Sequence, residues 1–228
     1  MDTRNILDQL LKAGSDLLQN TGGDQQQSGT QRSAGIGDLI AKNKGGLVAG
    51  GVLGLLLGSK TGRKIGGGAL KYGSLAALGA IAYKAYSNWQ DQQNSPKTSA
   101  PQPINALPAP EVEQHSRAVL SAMIGAAKAD GHIDAQERAL IDQGVAALTD
   151  DPQLQVWFDQ ELNKPLDPAE VARHAKSPEM AAEMYLASVL VVDQESYMEK
   201  AYLEELARQL NIDASLKAEL EAQVKATQ

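Results

Sequence analysis

"SPEMAAEMYLASVLVVDQESYMEKAYLEELARQL", residues 177–210, decides the fold class. Ser177 precedes Pro178, a good N-cap followed by a proline at the first helical position. Ser196 stands three residues before Glu199, the spacing of a capping box. Between these two starts, "MYLASVLVV" is apolar on nearly every side, as expected of a central helix enclosed by others. The same marks recur upstream: Asp151-Pro152 and Asp167-Pro168 as cap and proline, Asp134/Glu137 and Asp167/Glu170 as capping boxes. They predict helices over 112–129, 134–148, 152–163, 168–175, 178–192, 197–210 and 214–226. No strand alternation of useful length interrupts them. The expected class is all-α, a seven-helix bundle over 111–228, and about 118 residues of this kind can bury a self-sufficient core.

Upstream of Glu111 the character changes. Residues 1–110 carry 11 Lys/Arg against 6 Asp and no Glu, a net +5, whereas 111–228 carry 10 against 22, a net −12. That split predicts two regions in different surroundings, a basic one near anionic surfaces and an acidic one in solution. Residues 1–20 read as an amphipathic helix with Ile6, Leu7, Leu10, Leu11, Leu17 and Leu18 on one face. Residues 21–44 are Gln/Gly/Ser-rich and read as a disordered linker. Residues 90–110 hold five of the nine prolines and read as an extended spacer.

Between the linkers, 45–89 places glycine at 46, 50, 54, 58, 62 and 66 through an apolar run. Glycine in a water-exposed helix costs about 1 kcal/mol relative to alanine, while in lipid small residues let helices approach closely. A membrane segment is therefore expected, as one helix or as a hairpin through Gly58–Gly66, with Gly46, Gly50, Gly54 and Gly58 as a packing face for self-association. Taken as one helix, Ile65–Tyr83 would span ~28 Å. Tyr83, Tyr86 and Trp89 would then form an interfacial belt. The alternative is a Gly-rich segment packed on another protein. Basic residues flank both apolar stretches, so the positive-inside count does not fix the orientation.

Candidate chemistry gathers at two turns. "AAKADGHIDAQERALI" brings Asp130, Asp134 and Glu137 to one short connection, and "VLVVDQESYMEKAYLEEL" brings Asp193 and Glu199 to another. Clustered carboxylates repel unless a cation or helix N-terminal amides neutralise them, so both helix capping and an oxygen-rich divalent site remain open. His132 lies in the first turn as a solvent-exposed residue or an added ligand. The EF-hand pattern is absent, as are a nucleophile elbow, a Walker A loop and HExxH. The chain contains no cysteine, which removes thiolate metal sites and thiol nucleophiles. A net −12 on the folded region argues against nucleic acid. No residues carry an enzyme reading.

The "ADGHIDAQE" turn, together with "VVDQESYMEKAYLEELARQL", resembles the TerB-like helical domain of tellurite-resistance proteins. The whole arrangement of Gly-rich segment, Pro/Gln spacer and acidic domain is similar to the YebE-type bacterial inner-membrane family of unknown function. The resemblance implies a helical fold of two related halves and a divalent-metal cluster carried onto Asp130, Asp134, Glu137, Asp193 and Glu199. The second turn departs from the first, with Gln194 in the place of Gly131 and a spacing one residue shorter. The expected protein is a membrane-anchored accessory or regulatory protein, binding Mg²⁺, Mn²⁺, Ca²⁺ or Zn²⁺ in envelope or oxyanion stress. The alternative is a metal-free adaptor or scaffold with an unknown protein partner. Membrane lipids are expected partners, with the acidic domain on the cytoplasmic face of a bacterial inner membrane by the family analogy.

Overall fold

The computed structural model describes residues 3–11, 75–93, 107–129, 135–192 and 196–226. Among them lie nine helices and no strand: α1 (3–11), α2 (Leu75–Gln92), α3 (Ala109–Ala127), α4 (Ala135–Leu148), α5 (Pro152–Asn163), α6 (Pro168–Ala172), α7 (Pro178–Val191), α8 (Tyr197–Gln209) and α9 (Ala214–Ala226). The protein is all-α over these residues.

Local chemistry sets the helix starts. Asp151 accepts from Gln153 N–H at 2.9 Å, Asp167 from Ala169 N–H at 2.9 Å, and Ser177 from Met180 N–H at 3.2 Å. Ser196 Oγ receives Glu199 N–H at 3.5 Å, a longer contact. Each satisfies an amide that the first turn leaves without a helical partner. The end of α8 is set by Asn211, whose φ of 57° is left-handed, with Ile212 N–H returning to Ala207 O at 2.9 Å.

α7 is the central helix. Met180, Ala181, Ala182, Met184, Tyr185, Leu186, Ala187 and Val189 are all buried, and α2, α3, α8 and α9 pack around it. α6 fits between α3 and α8, while α5 lies on α3 and α4 on α5. Two polar side chains of α7 are tied down inside this core. Ser188 Oγ lies 2.9 Å from Met184 O and 3.2 Å from Ala122 O, and the Tyr185 hydroxyl donates to Glu221 at 2.8 Å.

The bundle is larger than the seven helices read over 111–228. Residues 75–89, assigned from sequence to the membrane segment, begin α2, which packs against α7 and α9 and buries Leu75, Leu78, Ala82, Ala85 and Tyr86. Trp89 donates its indole N–H to Ser215 Oγ at 2.8 Å and stacks at a tilt on Tyr86, with ring centroids 5.5 Å apart. Tyr86 and Trp89, two of the three residues read with Tyr83 as an interfacial belt, are thus engaged with protein. Ile6, Leu7, Leu10 and Leu11 of α1 are at most 3% exposed and belong to the same core. The physical reason is that an apolar helical stripe has the same period whether lipid or protein covers it. Among the described residues no helix is long and apolar enough to cross a membrane. The remainder of the 45–89 segment, with its packing glycines, and the rest of 1–20 lie outside the described residues.

One close approach depends on a missing side chain. A Cβ on Gly125 of α3 would come within 2.4 Å of the Tyr202 hydroxyl on α8 and 3.3 Å of Val171. That hydroxyl is buried and has no hydrogen-bond partner among the described residues. Gly125→Ala should destabilise the bundle by about 1–3 kcal/mol through overpacking. Tyr202→Phe alone should be neutral or stabilising, because it removes a buried unsatisfied group. In the double variant the loss should shrink, as the ring carbon then sits 3.4 Å from the new methyl. Thermal melts of the four proteins check this; an additive double variant contradicts the assigned contact.

Candidate functional site

The five acids read as a metal cluster are placed unevenly. Glu199 sits in the first turn of α8, buried at 5% exposure, where the positive end of the helix favours an anion. Glu137 lies on α4, with its side chain outside the described residues, as are Asp130, Asp134 and Asp193 and also His132. Among the described residues no group of three or more acid, histidine or cysteine side chains is arranged to hold a metal ion. Beside Glu199, Tyr197 and Met198 are 82% and 57% exposed.

A second set of carboxylates joins helices across the fold. Asp8 of α1 accepts from Leu75 N–H at 2.8 Å, capping the start of α2. Glu113 of α3 accepts from Thr3 N–H at 3.0 Å and from the Thr3 hydroxyl, capping the start of α1. Arg117, one turn along α3, reaches the same carboxylate at 2.9 Å and lies over the Trp157 ring at 5.6 Å from its centroid. Burial raises the Glu113 pKa, but the hydrogen bonds from Thr3 and Arg117 and the arginine charge outweigh it, leaving Glu113 below the ordinary carboxylate value. Asp213 does the same for α9, accepting from Ser215 and Leu216 N–H at 2.9 and 2.8 Å. Its burial raises the pKa and these bonds bring it below the ordinary value.

His115 and Glu183 pair between α3 and α7. Sequence reading found no partner for His115, since the pair is 68 residues apart. Gly79 of α2 makes room for that carboxylate: a Cβ there would stand 2.9 Å from Glu183 Oε1. At the other end of α3, Lys128 donates to Glu161 O at 3.2 Å and to Lys164 O, placing an ammonium on the C-terminal carbonyls of α5. Burial lowers the Lys128 pKa, with Glu161 opposing. Glu161 itself pairs with Lys164 and accepts from Ser121 at 3.3 Å. The cavity they border holds about 20 Å³, room for about one water molecule. Its chemistry is that of a braced helix junction. The partners that join different helices were not legible for that reason, whereas Glu113–Arg117, Glu161–Lys164 and the Asp213 cap lie within one turn and carry a local signal.

Comparison with known proteins gives a family and one curated relative. The family described as "Protein of unknown function (DUF533)" matches residues 42–224, which takes in the glycine-rich run and α2 along with the later helices. An "Uncharacterized protein in ampR 5'region" from Yersinia enterocolitica is 31% identical over 114 residues, covering 50% of this chain and 82% of that protein. No solved structure matches the chain.

The Glu113 cap has a pH signature. Its folded pKa lies below its unfolded one, so its contribution is present above the ordinary carboxylate range and is lost as pH falls through the folded value. Glu113→Gln should lower stability at pH 7 by about 1–2 kcal/mol, discounted from a charged hydrogen bond because the carboxylate is partly exposed. The gap from wild type should close as pH falls below the ordinary carboxylate range. Denaturant melts of both proteins at stepped pH measure it; a gap independent of pH contradicts the ionised cap.

Proposed function

The chain belongs to the DUF533 family of proteins of unknown function, and on that premise we propose a membrane-anchored accessory protein whose acidic helical domain binds a divalent cation. The reading is carried by the acids Asp130, Asp134, Glu137, Asp193 and Glu199, of which Glu199 is placed, buried in the first turn of α8. Carboxylate oxygens gathered in this way are the ligands that a hard divalent cation takes. An all-oxygen set of this kind suits Mg²⁺, Ca²⁺ or Mn²⁺ better than Zn²⁺. The TerB-like likeness of the two turns, the YebE-type arrangement and a role in envelope or oxyanion stress belong to this same proposal. So do a bacterial inner-membrane location with the helical domain in the cytoplasm and the absence of catalysis.

The anchor is the glycine-rich run beginning at residue 45, with Gly46, Gly50, Gly54 and Gly58 as a close-packing face. The family match supports treating this run and the helical domain as parts of one architecture, because it begins at residue 42 and continues to 224.

A metal-free adaptor is the second reading, and one observation favours it. Tyr197 and Met198 present exposed apolar surface side by side at the start of α8, a surface suited to a protein partner.

Thermal melts of the full chain in detergent, with and without millimolar Mg²⁺, Ca²⁺, Mn²⁺ or Zn²⁺, separate the two. A cation at 100 times its dissociation constant stabilises by about 2.7 kcal/mol, a rise of roughly 5–10 °C for a chain of this size. The wild-type midpoint should rise with one of these ions, and Glu199→Gln should lose that rise. Asp134→Asn should lose it too while melting normally without ion, since asparagine caps about as well as aspartate. A wild-type midpoint unmoved by every ion would overturn the cation reading in favour of the adaptor.

A further inference from the structure

α1 and α2 are separated by residues 12–74, yet they meet at one place. Asp8 accepts from Leu75 N–H at 2.8 Å, and Thr3 N–H donates to Glu113 of α3 at 3.0 Å. Ile6, Leu7, Leu10 and Leu11 share a core with Leu75 and Leu78, all at most 3% exposed. Leu11 and Leu75, the described residues that flank 12–74, thus belong to a single patch of the helical domain. We propose that residues 3–11 and 75–226 form one discontinuous domain on one side of a lipid bilayer. The glycine-rich stretch between them enters and leaves the lipid through that same face. The proposal rests on the membrane reading given above and deepens it.

Two observations support sidedness of this kind. A single crossing would hold α1 and α2 apart by a hydrocarbon core of about 30 Å, which the Asp8–Leu75 and Thr3–Glu113 bonds do not permit. The single span Ile65–Tyr83 would also need Leu75, Leu78 and Ala82, which are at most 1% exposed within the protein core. The apolar run that remains for lipid, 45–58, has 14 uncharged residues. That is short for a crossing of about 20 residues and matches re-entrant and interfacial segments. On this proposal the stretch returns to the face that it left and does not cross as one helix.

The cysteine-free chain makes the test direct. Gln9→Cys on α1 and Ala222→Cys on α9 are both at exposed positions. Each full-length variant is treated with a membrane-impermeant maleimide in right-side-out and in inside-out vesicles. Both cysteines should label in the same preparation and be protected in the other. Labelling in opposite preparations overturns the proposal. Carbonate washing of the same vesicles reads the membrane premise separately: release of the protein defeats the anchor. Hydrogen exchange of the purified full chain reads the α1–α2 joint without reference to lipid. Amides of residues 7–11 should be protected at least a hundredfold over a free peptide, and exchange at the free-peptide rate overturns the discontinuous domain.

Discussion

The contact of α2 with α7 and α9 is the constraint from which the rest of the arrangement follows. α7 buries side chains around most of its circumference, so most sides of it require a cover. α3, α8 and α9 supply part of that cover, and α2 supplies another part through Leu75, Leu78, Ala82 and Ala85. Each fully buried leucine is worth about 1.5–3 kcal/mol in transfer free energy. Once α2 belongs to the bundle, α1 comes with it, because the Asp8 carboxylate caps the amide that opens α2.

The joints between helices use one physical device repeatedly. A carboxylate from one helix, or from the turn before it, receives the amides that a helix start leaves unpaired. Glu113 serves α1, Asp8 serves α2, and Asp213 serves α9. Lys128 is the complement, an ammonium on the closing carbonyls of α5. Part of the acidic character of residues 111–228 is therefore structural. That bears on function, because a carboxylate at a helix start does not by itself call for a metal, and Glu199 stands out among them for its burial rather than its position.

Local signals in the sequence were sufficient for the later helices. Asp151, Asp167, Ser177 and Ser196 marked starts that the structure places at the same residues, and the run around Tyr185 marked the central helix. The boundary at 111 was not legible in the same way. Leu75, Leu78 and Ala82 form an apolar stripe beside a glycine-rich run, and periodicity does not say whether lipid or protein will cover it. The proline-rich stretch before α3 read as a divide between regions, whereas the helices on its two sides pack in one core. The candidate site was legible only as a pattern of acids at two turns. Of these Glu199 is placed, and its burial was masked in sequence by its suitability as a capping-box residue. Partners such as His115–Glu183 and Asp8–Leu75 are set by tertiary packing and leave no local trace.

The central claim is that the folded unit includes α2 and does not begin at residue 111. Comparing the fragments 75–228 and 111–228 by calorimetry tests it most directly. The account predicts a cooperative thermal transition for 75–228, and for 111–228 a broad, non-cooperative one, because the α2-facing sides of α7 and α9 are left uncovered. A cooperative transition of 111–228 at the midpoint of 75–228 would contradict it.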